Sequence, residues 1–196
     1  MNHIHSTALI KNSLYSAWKL LECFFNDEAG LLAIEKTIAT MVLSIKEGKK
    51  IISCGNGGSM CDAIHFAEEL TGRFRSDRPP IPAMAISDVG HISCTANDYG
   101  YEHVFARWLE AIGNSGDVLL AISTSGNSKN IIRAVEVARK KNIKSIGLLG
   151  KNGGELRGLV DVPILIQNEF PERIQEMHIK IIHIIVECLE KELFGQ

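Results

Sequence analysis

Five short and almost wholly apolar segments, separated by stretches with helical spacing, constrain the fold of this chain more than any other feature. Strands that are apolar on both sides belong to parallel sheets whose two faces are covered by helices. Most of the five segments are followed by a helical stretch, which predicts an α/β fold with a five-stranded parallel sheet. The predicted strands are residues 51–54, 83–86, 118–123, 145–149 and 162–166.

Two helices are predicted before the first strand. Apolar residues recur every three or four positions over residues 4–25 and again over residues 31–45. We therefore expect one domain, residues 1–196, with a helical N-terminal extension (1–48) and an α/β core (49–196) that ends in a helix at about 172–193. Packing between subunits would cover the apolar faces of the extension. The charged, proline-rich segment 73–82 is predicted to be an exposed loop.

Composition excludes several classes of protein. The net charge of −2 lacks the basic surplus of a dedicated nucleic-acid binder. The most apolar tract, residues 174–193, contains six charged residues and two histidines, so no membrane span is expected. The five cysteines form no CxxC pair, and the N-terminus does not resemble a signal peptide. These features predict free thiols and a cytoplasmic protein.

Two strand-to-helix junctions are candidate anion sites. The first strand is followed by Gly55-Asn56-Gly57-Gly58-Ser59, and the third by Ser123-Thr124-Ser125-Gly126-Asn127-Ser128. Glycines allow a ligand to approach the backbone, and the start of a helix offers unpaired N–H groups to an anion. The same residue types are also common in ordinary turns and caps. Ligands of parallel sheets bind at the carboxyl ends of the strands, where both junctions lie.

Two nucleotide-binding motifs are missing from the junctions. Met60 stands where a dinucleotide-binding GxGxxG fingerprint requires its third glycine. Neither junction has the Gly-Lys-Ser/Thr of a P-loop. The expected ligand is therefore a smaller phosphate ester.

Candidate acid–base residues lie on two predicted helices. His65 and Glu69 are four residues apart, and Gln175 and His183 are eight apart, so each pair shares a helical face. The four could bind a divalent metal such as zinc, or supply the general base and acid that aldose–ketose isomerisation needs. The first pair could equally be a surface pair, and His183 a histidine of the core.

These motifs together resemble the bacterial phosphoheptose isomerases, which belong to the sugar isomerase (SIS) domain superfamily. The Ser-Thr-Ser-Gly-Asn-Ser loop is typical of SIS domains in general, whereas the His65/Glu69 and Gln175/His183 pairs are more specific to the isomerases. The segments that carry the resemblance are 55–59, 62–72, 85–88, 97–98, 116–120, 123–128, 153–154 and 173–176.

The resemblance implies a flavodoxin-like five-stranded sheet and a homotetramer with active sites at subunit interfaces. It implies conversion of sedoheptulose 7-phosphate to D-glycero-D-manno-heptose 7-phosphate, the first step toward the heptose of lipopolysaccharide core. Glu69 would be the base and His183 its acid/base partner, and one Zn²⁺ per subunit would be held by His65, Glu69, Gln175 and His183. Substrate contacts would come from Asn56, Gly57, Gly58, Ser59, Asn97, Asp98, Ser123, Thr124, Ser125, Ser128, Glu172 and Gln175.

Three other functions fit the same loops. Some relatives keep the fold and the tetramer but bind the replication initiator without catalysis, and in that type we expect the Glu69/His183 pair to be lost. Another enzyme of the superfamily would act on a different sugar phosphate, because phosphate loops and enediol chemistry do not read the length of the sugar. A structural tetramer with a vestigial pocket ranks last, since it has no use for the acid–base pair.

Overall fold

The computed structural model describes residues 6–195. Two helices, α1 (Ser6–Phe25) and α2 (Glu28–Lys46), precede the sheet, as the sequence predicts. Residues 4 and 5 of the predicted first helix lie outside the described part of the chain. The strands are β1 (Ile51–Gly55), β2 (Ala83–Ala85), β3 (Val118–Ser123), β4 (Lys144–Gly150) and β5 (Val162–Ile166). The remaining helices are α3 (Gly58–Thr71), α4 (Val89–Tyr99), α5 (Val104–Ile112), α6 (Lys129–Lys140) and α7 (Pro171–Phe194).

The five strands form one all-parallel sheet in the order β2-β1-β3-β4-β5, which confirms the predicted fold class. The chain order reverses at β1 and β3, which are neighbours, so the junctions that follow them lie side by side at the carboxyl edge of the sheet. Such a switch point is where open parallel sheets bind ligands. The fold therefore places both candidate anion loops at the position where a ligand is expected.

Alternate residues of each strand enter one of two cores. In β3, Leu120 and Ile122 point to a core shared with α1, α2, α3 and α7, whereas Leu119 and Ala121 point to a core shared with α5 and α6. All four side chains are fully buried, so both faces of the strand exclude water. Because β3 is packed on both faces, the start of the loop that follows it is fixed in position.

Large apolar side chains remain exposed on α1. Leu14, Trp18 and Phe25 are more than half exposed, and Leu9, Ile10, Tyr15 and Leu21 are exposed beside them. In contrast, Leu20 and Phe24 are buried against the rest of the chain. Within residues 6–195, no helix is both long enough and apolar enough to cross a bilayer.

The segment between α3 and β2 is only partly the exposed loop that its composition predicts. Arg73 and Arg75 are exposed, but Arg78 and Ile81 are buried. The prediction is wrong at these two positions because their partners come from distant parts of the chain. Ile81 joins the apolar core, and Arg78 bonds to Glu190 of α7.

Candidate active site

Three serine hydroxyls converge in the loop after β3. The Ser123 oxygen lies 3.5 Å from that of Ser125 and 3.4 Å from that of Ser128, and it accepts a hydrogen bond from the Gly126 N–H. Ser128 is the N-cap residue of α6, yet its side chain makes no capping hydrogen bond. The hydroxyls therefore remain available to an anion at the positive end of the α6 dipole.

The loop keeps this shape by close contact with the loop that follows β4. Gly126 has φ +69°, and a Cβ there would overlap the carbonyl of Gly153. Only glycine adopts this conformation readily and leaves room for the neighbouring backbone. Asn127 joins the two loops, since its side-chain oxygen accepts the Glu155 N–H and its amide donates to the Ser125 carbonyl.

The loop after β1 is fixed by a pair of asparagines. Asn56 and Asn130 each donate one side-chain hydrogen bond to the other, at 2.9 and 2.8 Å. The Tyr101 hydroxyl also donates to Asn56. Because Asn130 lies in the first turn of α6, these bonds tie the first loop to the helix that follows the serine loop. Ser59 is buried, Asn56 is half-buried, and Gly57 and Gly58 are exposed.

The structure brings His65, Glu69 and His183 together. One ligand atom from each lies within 4.8 Å of the others. The Nε2 atoms of His65 and His183 are 2.9 Å apart, and the Glu69 Oε1 is 3.4 Å from the His65 Nε2. The two histidines are 118 residues apart in the chain, so the contact between α3 and α7 creates the cluster. A carboxylate and two imidazoles in this arrangement can move protons.

The surroundings of His183 favour its neutral imidazole. Burial, and secondly the neighbouring His65, lower the pKa of His183, while Glu69 opposes the shift. The Nδ1 atom of His65 lies 2.9 Å from the exposed carboxylate of Glu68. A hydrogen bond donated there holds the proton on Nδ1, which leaves the Nε2 lone pair directed at the cluster.

This donor set fits a divalent metal. Imidazole nitrogen and carboxylate oxygen are both common zinc ligands, and the Glu68 carboxylate supplies the outer hydrogen bond that a ligating histidine usually makes. Two nitrogens on one tetrahedral zinc lie roughly 3.3 Å apart. A movement of a few tenths of an ångström from the 2.9 Å separation would therefore accommodate the ion.

Gln175, the fourth predicted metal ligand, is bonded to Asp62, which lies one turn before His65 on α3. Its amide donates a 3.4 Å hydrogen bond to Asp62, and its side chain fills the space over Gly58. The second carboxylate oxygen of Asp62 is buried and has no hydrogen-bond partner within residues 6–195. Burial raises the pKa of Asp62, although the bond from Gln175 and the nearby His65 act in the opposite direction.

Three predicted substrate contacts are exposed and are not bonded to the cluster within one chain. Asn97 and Asp98 are exposed on α4 and hydrogen-bond to each other. Glu172 is exposed in the first turn of α7. In the described part of the chain, no hydrogen bond or ion pair connects them to His65, Glu69 or His183. Their predicted role therefore depends on substrate or on a second subunit reaching them.

Sequence reasoning missed the residues that hold the site together. Asp62, Asn130 and Tyr101 each contact a predicted site residue. Asp62 could have been recognised, because it lies one turn before His65 and two before Glu69 on the same face of α3. Asn130 had a weaker signal, since a polar residue at a buried position of a helix needs a partner.

Comparison with known proteins shows which family the chain belongs to. Residues 17–150 match the SIS domain family. A phosphoheptose isomerase of Enterobacter sp. (strain 638) is 54% identical over 186 residues, which cover 94% of this chain and 97% of that protein. A solved phosphoheptose isomerase structure from Francisella tularensis is 34% identical with a TM-score of 0.91, over 96% of this chain and 100% of the other.

A second solved structure, the phosphoheptose isomerase from Neisseria gonorrhoeae, is 33% identical with a TM-score of 0.87 and covers 93% of this chain and 98% of its own. These similarities extend over nearly the whole chain and do not favour a non-catalytic regulator or an isomerase of another sugar phosphate. The resemblance found in the motifs is thus confirmed. The chain belongs to the SIS domain family and, within it, to the phosphoheptose isomerases.

Proposed function

We propose that this protein converts sedoheptulose 7-phosphate to D-glycero-D-manno-heptose 7-phosphate through an enediol. The observation that carries the proposal is the cluster of Glu69, His65 and His183 in a chain 54% identical to a phosphoheptose isomerase. The reaction moves one hydrogen between neighbouring carbons and one between neighbouring oxygens, and it needs no external oxidant or reductant.

Each proton transfer has a suitable group. The Glu69 carboxylate is 16% exposed, so it is partly shielded from water while still open to a ligand. It takes a proton from C1 of the ketose and returns a proton to C2 of the enediol. His183, with its pKa lowered, is neutral near pH 7 and can accept the proton of the C1 hydroxyl and deliver one to the oxygen on C2.

Binding of the phosphate is assigned to the serine loop. The hydroxyls of Ser123, Thr124, Ser125 and Ser128, together with the N-terminus of α6, supply donors for its oxygens. Asn56 and Ser59 in the neighbouring loop would contact the sugar, with Gly57 and Gly58 allowing its close approach.

We propose that one Zn²⁺ per subunit is held by His65, Glu69, His183 and Gln175. Support comes from the convergence of the first three and from the hydrogen bond between Glu68 and His65. Gln175 is the weakest member, because its amide is bonded to Asp62 and glutamine is an uncommon zinc ligand. When bound, the ion would supply Lewis-acid stabilisation of the developing oxyanion.

A homotetramer with active sites at subunit interfaces is part of the same proposal. The exposed apolar side chains of α1, such as Leu14 and Trp18, support it because a monomer gains nothing by leaving them in water. Asn97, Asp98 and Glu172 would complete sites in this assembly. The five unpaired cysteines fit a cytoplasmic enzyme, and lipopolysaccharide core is the expected destination of the heptose.

The test is an NMR assay with purified protein, sedoheptulose 7-phosphate, and either added zinc or a chelator. The proposal predicts aldoheptose phosphate at catalytic protein concentration in the zinc-loaded sample. Absence of product in both samples contradicts the function. Equal rates in both contradict the role of zinc and leave the isomerase assignment intact.

A further inference from the structure

Arg78 is an arginine buried in the segment between α3 and β2. Its side chain is 0% exposed, whereas that of Arg75 in the same segment is 62% exposed. A guanidinium does not lose its charge in proteins, so a buried one requires a full set of acceptors and a counter-charge. The groups that accept hydrogen bonds from Arg78 are therefore held in fixed positions.

Its three closest acceptors belong to the two helices that carry the candidate catalytic residues. The Nε atom donates to the Glu190 carboxylate of α7 at 2.8 Å. The Nη2 atom donates to the main-chain carbonyl of Glu69, and Nη1 to that of Leu70, both at 2.7 Å. Longer bonds reach the carbonyls of Gly72 at 3.1 Å and Pro79 at 3.3 Å. The last carbonyls of a helix have no partner within it, and a cation there also complements the helix dipole.

The positions of these acceptors connect Arg78 to the chemistry. One bond ends on the backbone of Glu69 itself. Glu190 lies seven residues, or about two turns, beyond His183 on the same side of α7. Phe74, at the start of the segment, stacks against the His183 ring with centroids 5.8 Å apart. The segment therefore connects Glu69, the proposed base, with α7, the helix that carries the proposed acid His183.

We propose that Arg78 is a positioning residue that fixes the separation of Glu69 and His183 by tying the end of α3 to Glu190. The inference rests on the proposed isomerase function. A purely stabilising role is the alternative, but a buried ion pair is often no more stabilising than apolar residues of similar volume. Positional control explains why this pair is charged, since Arg78 makes four directed bonds to backbone carbonyls that an apolar side chain cannot make.

The decisive variant is Arg78→Lys, which keeps the charge opposite Glu190 but loses the fork that spans the carbonyls. We expect kcat to fall about tenfold, because a displacement of a fraction of an ångström misaligns proton transfer. KM should stay within about twofold of the wild-type value, since the serine loop that is proposed to bind the phosphate follows β3 and is not part of this segment. If Arg78→Lys fails to fold, Glu190→Gln is the second variant. It keeps the shape of the side chain and should lower kcat in the same way.

The matched control is Arg75→Gln, which breaks the exposed ion pair with Glu187 in the same segment. It should keep kcat within about twofold, as expected for a surface pair. A folded Arg78→Lys protein with a lowered melting temperature and wild-type kcat would overturn the positioning role. A wild-type protein with no turnover would refute the proposed function instead, so the two failures are distinguishable.

Discussion

Because His178 is buried, it makes the free energy of unfolding depend on pH. The residue lies on α7, is 0% exposed, and neither ring nitrogen has a hydrogen-bond partner within residues 6–195. Burial lowers its pKa from 6.5 to about 4, and a weaker interaction with the Leu149 backbone opposes the shift. The folded protein therefore keeps His178 neutral at a pH where the unfolded chain binds a proton.

The size and sign of the effect follow from this difference. Above pH 6.5 neither state binds the proton, so the neutral imidazole brings no penalty. As the pH falls from 6.5 toward 4, only the unfolded state gains the proton, and the free energy of unfolding decreases. Between about pH 7.5 and pH 5 this one group removes about 2 kcal/mol, and the full loss, reached well below pH 4, is roughly 3 to 4 kcal/mol.

Urea unfolding of the wild type and of His178→Leu at these two pH values isolates the effect, because all other titrating groups are common to both proteins. The leucine variant should lose about 2 kcal/mol less than the wild type between about pH 7.5 and pH 5. Its absolute stability is not part of the test, since the comparison uses only the change with pH. Two parallel stability profiles would refute the reasoning.

Three further predictions concern the serine loop and α1. Ser125→Ala should raise KM about tenfold, by loss of a hydrogen bond to a charged phosphate, with little change in melting temperature; an unchanged KM contradicts the phosphate assignment. Gly126→Ala should also raise KM about tenfold, because its φ of +69° and the Gly153 carbonyl force the loop to move; wild-type kinetics would show that the loop tolerates the shift. Trp18→Glu, at a side chain 51% exposed, should dissociate the proposed tetramer in light scattering, and an unchanged mass would contradict the role of α1.

Local pattern was sufficient to predict the fold. Short, nearly all-apolar runs such as Val118–Ser123 are typical of buried strands in an α/β chain, and their bounds were predicted to within about a residue. The His65/Glu69 pair could also be recognised from the sequence, because positions four apart share a helical face. These features depend only on neighbouring residues.

Contacts across long separations could not be predicted from local pattern. Arg78 occurs in a charged, proline-rich segment typical of an exposed loop, and its buried ion pair is with Glu190, 112 residues later. The contact between His65 and His183 likewise depends on how α7 crosses α3. The resemblance to isomerases suggested that these histidines share a site, but spacing along the chain did not.

The central claim is that Glu69 is the base of an enediol isomerisation, and one comparison of initial rates tests it most directly. The NMR assay is run with the wild type, Glu69→Gln, and Glu136→Gln as the same change at an exposed position on α6. The account predicts turnover by the wild type and the control, and a loss of at least about a hundredfold in Glu69→Gln with the fold retained. Conversion by Glu69→Gln at the wild-type rate would contradict it.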